Sequence, residues 1–444
     1  MWNIIKRKRK NVFVGFEEIG GNLTRIAFEY NRRGYKCYCL LLVDYWAGTD
    51  INVNQKNFIF DLYGKCYRKY VVADGVVNKL IYAILSIIAG ILSLCYAICF
   101  YDNYIFDFGT SFFSKLPFIS KVPCLAYFDL MILHFFKKKV IMWYMGSDSR
   151  PPYINGKYKD KKISSIIRAT SKTYASVRMV ERYCDYIIDN PAQAHFHQKK
   201  FIIFQMIGIP ISKEFIVREQ KRIKNPMVKI VHAPSAPKIK GTKYIRRIVE
   251  KLKEQGYSIE YSEIIQKPHV EVMKELSTAD IVVDEVFADT PLGGLGIEAA
   301  VNKVPTVVSG YFSLYAGAIL GKYMPPSCYC VPERLENELR KLLDDEAERI
   351  KLGRAAFEFA EKQWSLEQVV QNFIDIFEDN ISEEWFFDPY TSDYPYGVGM
   401  SRGEVKELVR KLVAKKGLKV LHINDKPKLL EKYTQLIYGK ENVL

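Results

Sequence analysis

The sequence predicts an α/β protein made of two tandem, doubly wound Rossmann-like domains and a smaller C-terminal appendage. Short apolar strand-like runs alternate with stretches of helical periodicity, and the series runs twice. The two series are separated by a charged segment, Lys213 to Asn225, closed by Pro226. The length, 444 residues, agrees with this at roughly 150 residues per domain.

Composition narrows the class further. With 49% apolar and 26% charged residues the chain is neither a disordered tail nor a multi-span membrane protein. The 65 basic and 50 acidic residues give a net charge of +15, which favours anionic partners: nucleotide phosphates, nucleic acid or an acidic membrane face.

The first series opens with a strand at Asn11 to Gly15, a loop containing Gly20 and Gly21, a helix to Arg33 stopped by Gly34, and a β-rich run from Tyr35 to Val43. A strand, glycine loop, helix and strand in that order build a right-handed parallel unit. It continues with a strand at Tyr104 to Phe108, a helix at Cys124 to Phe136, and strands at Val140 to Tyr144 and Tyr186 to Asp189. This domain is expected over residues 1–215.

The second, expected over 227–380, starts from a strand at Lys229 to His232. A helix at Lys243 to Gln255, a strand at Ser258 to Tyr261 and a helix at Val270 to Leu276 follow. Then come a strand at Ile281 to Val283, a helix from Leu295, a strand at Thr306 to Val308, and helical sequence from Glu333 to Phe377. Two such domains facing across a cleft bind ligands at the carboxyl ends of their strands. Residues 381–444 form an extension of unknown role. Its aromatic, Pro- and Gly-rich start at 385–400 reads as an ordered strap, and a helix (Glu404 to Lys415), strand (Lys419 to His422) and helix (Pro427 to Tyr438) follow it.

The nine cysteines are odd in number, include no Cys-x-x-Cys pair and read as reduced cytosolic thiols. The N-terminal residues lack a secretory pattern, since Met1 to Lys10 ends in the basic run Lys6 to Lys10. Leu80 to Phe100 is 21 residues without a charge, long enough to cross a bilayer. Its Ser86, Gly90, Ser93 and Tyr96 weaken a span, and with the strand-like residues after it the stretch fits the connecting helix of a strand-helix-strand unit better than a span or part of a partner interface. Together with Lys6 to Lys10 and Lys137 to Lys139, this stretch suits peripheral contact with anionic lipid from the cytoplasmic side, at the inner face of the cell membrane. No zinc, RNP-like or helix-turn-helix pattern accompanies the charge, so no nucleic-acid partner is expected.

Two stretches carry candidate chemistry. In Asp280 to Pro305, a strand leads through Asp284 to Thr290, Gly293, Gly294, Gly296 and Glu298 at the start of a helix. Glycines there let backbone amides and the helix dipole meet a diphosphate, and Glu298 is placed to accept ribose hydroxyls. An ordinary glycine-rich loop would look the same. In His232 to Thr242, Lys238 and Lys240 flank a helix start in a Pro-bounded loop, where an ammonium can stabilise a departing diphosphate. Solvated surface lysines are the alternative.

Taken together these stretches resemble the C-terminal domain of family 4 (group 1) glycosyltransferases, which have the GT-B fold. The resemblance is carried by Lys240-Gly241-Thr242, Ser277 to Asp284, the glycine loop, Glu298-Ala299-Ala300 and Lys303 to Val308. It covers 229 to about 378 well. It is looser in the first half, resting on Gly20/Gly21, Tyr101 to Gly109 and Gly146 to Arg150. It implies a retaining glycosyltransferase moving sugar from a nucleotide-sugar donor to a glycan or lipid-linked acceptor, as in cell-surface polysaccharide assembly.

In that scheme Lys240 neutralises the departing phosphates, with Lys238 substituting for a usual arginine. Gly293, Gly294 and Gly296 shape the diphosphate pocket and Glu298 binds ribose. Gly20 and Gly21 admit the acceptor or the diphosphate. No cofactor or metal is expected, as no Asp-x-Asp triplet occurs.

Some positions depart from the pattern. Thr290 stands where the first of two spaced glutamates is usual, so that either Asp289 or Asp284 serves in its place or the donor sugar goes without that carboxylate; Ser235 replaces a common Arg, and Met145 a common His. Asp148 and Arg150, at the carboxyl end of a strand, are placed to orient acceptor hydroxyls or a phosphate, or to pair locally at the Pro151/Pro152 turn. His232 reads as a ligand contact or a structural histidine, while His195 and His197 alternate rather than share a face, against a metal site. A non-catalytic GT-B binding subunit is the alternative function. A sugar-nucleotide epimerase of the same fold lacks support from its carboxylate and histidine set.

Overall fold

The computed structural model describes residues 11–43, 56–211 and 227–439. The basic run Lys6 to Lys10 and the segment Lys213 to Asn225 lie outside the described residues. The chain divides into two compact units: Met1–Ser149 with Ala175–Asp189 and Val370–Glu384, and Arg150–Tyr174 with Asn190–Val369 and Trp385–Leu444.

The first unit runs β1 (Asn11–Glu17), α1 (Asn22–Arg32), β2 (Lys36–Val43), α2 (Phe58–Val72), α3 (Val76–Phe100), β3 (Asn103–Asp107), α4 (Pro123–Ala126), α5 (Phe128–Phe135) and β4 (Lys139–Trp143). The second half of α6 (Ile163–Tyr183) and β5 (Tyr186–Asp189) complete the series. Its strands are ordered β5-β4-β3-β1-β2 and all pair in parallel. Buried on both faces, β1 and β3 are the near-continuous apolar runs such a sheet requires. Phe13 is the hub of an aromatic core, 4.9 Å from the Phe112 ring and 5.1 Å from that of Phe60.

The uncharged stretch Leu80 to Phe100 is the larger part of α3, the helix that leads into β3. Apart from Leu94, its inward stripe is made of small residues: Ala83, Ser86, Ala89, Gly90, Ser93 and Ala97. These recur at helical spacing and let α2 lie close alongside. The two helices form an antiparallel hairpin, with Ser93 Oγ donating to Ile59 O at 3.4 Å and Lys79 over the Tyr70 ring. The single helix expected over Cys124 to Phe136 is two, broken at Tyr127, whose φ of −117° and ψ of 20° are not helical. The Tyr127 hydroxyl is tied to Gly109 O at 2.9 Å.

The second unit contains β6 (Phe201–Ile203), α7 (Phe204–Ile207), β7 (Val228–His232), α8 (Pro237–Lys240), α9 (Thr242–Glu254), β8 (Ile259–Glu263), α10 (His269–Leu276), β9 (Ile281–Glu285), α11 (Gly294–Val301), β10 (Thr306–Ser309), α12 (Ser313–Leu320) and β11 (Cys328–Cys330). After these come α13 (Leu335–Asp344), α14 (Glu346–Gln363) and α15 (Leu366–Phe377), the last running on into the first unit. Five strands make a parallel sheet in the order β11-β10-β9-β7-β8. Ile245, Val249 and Leu252, at helical spacing on α9, pack into its core.

The strap over 385–400 contains no α-helix; it holds short 3-10 turns and β12 (Phe386–Phe387), which pairs antiparallel with β6. It continues into α16 (Arg402–Lys416), started by a capping box in which Ser401 and Glu404 satisfy each other's amides, and α17 (Pro427–Tyr438). The strand expected at Lys419 to His422 is a 3-10 turn, Leu418–Leu421. Val420 and Leu421 are both buried, which adjacent positions of a strand, pointing to opposite faces, would not allow at the rim of a helical appendage.

Candidate functional site

The second unit gathers most of the singled-out residues at the carboxyl end of its sheet. β9 ends in Asp284 and Glu285, and the loop after it returns to Gly293, the N-cap of α11. No side chain caps that helix, which leaves its first-turn amides without a capping acceptor. The Gly293 amide itself donates to Asp284 Oδ2 at 3.3 Å. A side chain at Gly294 would meet nothing within 4 Å, whereas a Cβ at Gly296 would stand 2.3 Å from Leu292 Cδ1. Gly294 therefore opens onto free space and Gly296 is a packing glycine. Glu298, in the second turn, takes a hydrogen bond from His269 Nε2 at 2.8 Å.

The basic loop is clamped beside this start. Lys240 ends α8, and Gly241 stops it with φ 73°; a Cβ there would lie 2.6 Å from Val286 Cβ. Only glycine meets both demands. The Val286 amide donates to Lys240 O at 3.0 Å, fixing the loop to the end of β9. Lys240 Nζ lies 2.9 Å from Glu285 Oε2, the latter side chain 2% exposed. Burial pulls the Lys240 ammonium down, but Glu285, Asp284 and Asp289 together hold it above its ordinary value, so it stays charged. Glu285 is pushed up by burial, with Lys240 opposing. Lys238 instead faces solvent, 68% exposed, and pairs with Asp160.

The neighbouring carboxylate is already engaged. Both oxygens of Asp289 take the Arg150 guanidinium, Nε to Oδ2 at 2.5 Å and Nη2 to Oδ1 at 2.7 Å, and Asn190 Nδ2 donates to its carbonyl at 3.0 Å. The pair is bidentate and buried, so Arg150 is bound across 139 residues of sequence rather than at the Pro151/Pro152 turn. The Thr290 hydroxyl accepts from Gln205 Nε2 at 3.4 Å. His232 is fully buried. Its Nδ1 faces Val283 O at 2.8 Å and must donate, leaving Nε2 to accept from Thr242 Oγ1 at 2.9 Å. Burial lowers its pKa, and the neutral ring ties β7 to β9 and α9 as a structural histidine.

In the first unit Gly20 and Gly21 adopt φ of 65° and 79°, and Gly21 caps α1. The anion position at that helix start is filled from within: Glu18 accepts from the amides of Leu23 at 3.1 Å and Thr24 at 3.0 Å. Its carboxyl is raised by burial against these bonds. Asp148 accepts twice from the Met145 amide, at 3.2 and 3.1 Å, and so closes the Gly146 turn. Nearby, Asp107 bridges β3 to the Phe16 and Glu17 amides. Burial raises its carboxyl far above the ordinary range, the Glu17 amide opposing and Glu18, Glu17 and Asp148 adding to the rise.

His195 sits in a 3-10 turn, Pro191–Phe196, with Nε2 2.9 Å from the Tyr433 hydroxyl. Among the described residues no three His, Cys, Asp or Glu side chains are grouped to hold a metal ion. Sequence reasoning missed Glu285, His269 and Glu18, the partners of Lys240, Glu298 and the α1 amides. Only Glu285 carried a visible signal, as the acidic residue directly after Asp284 at a strand end.

No known protein family and no curated protein matches the chain. Among solved structures, Anabaena HepE in complex with UDP and glucose is 12% identical, covering 83% of this chain and 99% of that one, with a TM-score of 0.47. Sucrose-phosphate synthase from Thermosynechococcus elongatus is 11% identical, covering 84% and 99%, at 0.49. The glycosyltransferase SnogD from Streptomyces nogalater is 10% identical, covering 83% and 100%, at 0.39. Likenesses of this extent say nothing of chemistry. Two Rossmann-like units, each with parallel strands, follow one another in this chain.

Proposed function

We propose that the chain is a retaining glycosyltransferase that takes sugar from a nucleotide-sugar donor and passes it to a glycan or lipid-linked acceptor at the inner face of the cell membrane. The observation that carries this reading is the side-by-side placement of the uncapped α11 start and the Lys240 loop at one sheet end. A diphosphate resting on the amides after Gly293 would meet the Lys240 ammonium, which exchanges Glu285 for phosphate oxygens as the donor binds. Glu298, oriented by His269, accepts hydroxyls of the ribose.

In the transfer step the bond from the anomeric carbon to the phosphate oxygen breaks and a bond to the acceptor oxygen forms on the same face. The acceptor's proton passes to the departing phosphate, whose charge Lys240 and the α11 amides stabilise. Lys240 supplies the positive charge that this scheme requires.

A second reading has specific support: a binding subunit that holds a nucleotide sugar without turning it over. Thr290 offers no carboxylate to the sugar, and Asp289 is locked by Arg150.

Incubating the purified chain with uridine- and guanosine-diphosphate sugars, with and without lipid-linked acceptors, tests both. Release of nucleoside diphosphate is expected, falling about 100-fold in Lys240→Ala, the size of effect seen when a transition-state donor is removed. Donor binding without release under every acceptor supports the binding subunit, and neither binding nor release contradicts both.

A further inference from the structure

The first unit carries an apolar exterior that its sheet does not explain. The connections from β2 to β3 and from β3 to β4 step across the sheet in the same direction. Right-handed crossovers therefore place the α2–α3 hairpin and α4–α5 in one layer on one face. The packing agrees: a Cβ at Gly90 of α3 would lie 3.1 Å from the Leu116 side chain, and Tyr63 of α2 donates to Phe112 O at 2.7 Å, both partners in the segment leading to α4.

The outside of this layer is hydrophobic along its length. On α3, Leu80, Ile81, Ile84, Ile88, Ile91 and Leu92 are 44–50% exposed. Beside the turn joining α2 to α3, Val71, Val72, Val76 and Val77 are 53–85% exposed. Across the layer, Leu125, Phe128, Phe135 and Phe136 are exposed as well. Soluble monomers rarely present so much contiguous apolar surface without a use for it.

The charge around the layer selects the occupant. Residues 56–139 hold ten Lys or Arg against five Asp, and two of those, Asp107 and Asp129, are fully buried. Lys65, Lys69 and Lys79 border the hairpin turn, where Asp74 is the one exposed acid, and Lys121 and Lys137 border α4–α5. Apolar side chains ringed by lysines match acyl chains below anionic headgroups.

We propose that this layer is a monotopic membrane-insertion surface, lying in one leaflet of an anionic bilayer with the α2–α3 turn and the outer sides of α3, α4 and α5 immersed. α3 does not cross, because its inward stripe is packed on α2 and its last residue passes directly into the sheet through Tyr101. The proposal gives the lipid-linked acceptor of the preceding section a location, but its observations stand without that reading.

Native thiols report on it. Of the nine cysteines, the three exposed ones, Cys95, Cys99 and Cys124, all lie on α3 and α4. The purified full chain is mixed with phosphatidylcholine vesicles or with vesicles also containing phosphatidylglycerol, floated on a density gradient, and labelled with a maleimide read by peptide mass spectrometry. The expected result is flotation with the anionic vesicles, several-fold slower labelling of the three thiols on those vesicles, and release by alkaline carbonate. Ile84→Glu with Ile88→Glu, both on the outer side, should abolish flotation while leaving thermal unfolding unchanged.

Absence of flotation and protection on either vesicle would overturn the proposal. So would lipid-free, concentration-dependent protection, which would mean a second copy covers the face, or retention through carbonate, which would mean a span. No step involves nucleotide or sugar, so loss of transferase activity and loss of membrane insertion are read separately.

Discussion

At Gly241 a backbone requirement and a packing requirement coincide. The residue holds φ 73° and leaves no room before Val286 Cβ, so Gly241→Ala combines left-handed strain with overpacking and should cost about 2–4 kcal/mol. Chemical denaturation measures the loss, and donor binding should fall with it because Lys240 is the neighbouring residue. Arg150 and Asp289 behave differently. Breaking a buried ion pair by Arg150→Ala strands the carboxylate and should cost about 3–5 kcal/mol, whereas replacing both partners by apolar residues should restore much of the stability. Recovery in the double variant is the diagnostic outcome of a double-mutant cycle.

His195 sets a pH dependence. Burial, with Lys426, Arg150 and His197 nearby, lowers its pKa from 6.5 to about 3. Between those values the unfolded chain takes a proton that the folded chain refuses. Stability from this group is therefore level above pH 6.5 and falls as pH drops below it, by up to about 1.4 kcal/mol per unit. His195→Gln, which can still meet the Tyr433 hydroxyl, should flatten that part of a stability profile measured between pH 7.5 and 5.

Among the elements, α11 separates a glycine that opens onto free space from a packing one. Gly294→Ala adds a methyl group to open space, so stability should hold within about 0.5 kcal/mol while donor affinity drops. Gly296→Ala drives a methyl into Leu292 and should cost about 1–3 kcal/mol. Thermal unfolding and nucleotide titration of the two variants check this contrast.

The elements were legible in the sequence where local pattern decides them. The buried runs of β1, β3 and β9, the inward stripe of α9 and the glycine start of α11 all declare themselves within a dozen residues. The break at Tyr127 was not, since it is tied to Gly109 from outside the helix. Nor was the turn at Leu418–Leu421, whose short run of mixed residues resembles a strand until its two adjacent apolar side chains are both seen to be buried. The site was legible as positions and not as pairings. Gly293, Glu298 and Lys240 stand out as candidates from local pattern, but His269, Glu285 and the Arg150–Asp289 pair are contacts between distant segments that no local spacing encodes.

Over the whole molecule, the C-terminal 60 or so residues belong to the second unit's architecture. β12 extends pairing from β6, Leu421 O accepts from the Tyr153 hydroxyl at 3.0 Å, Tyr433 meets His195, and the buried Lys426 ammonium donates to His197 O at 2.5 Å. A chain ending at residue 384 would be without all four interactions and should unfold without a cooperative transition or remain insoluble. Recovery of a soluble, cooperatively melting protein would mean the appendage is dispensable.

Calorimetric titration of uridine and guanosine diphosphates into the intact chain, into Lys240→Ala and into Gly294→Ala tests the proposed capture of a pyrophosphate group by α11 and the lysine beside it. Binding of at least one nucleotide to the intact chain, weakened tenfold or more (about 1.4 kcal/mol) by each substitution, is the predicted result. An absence of binding heat with both nucleotides, or affinities untouched by either change, would contradict it.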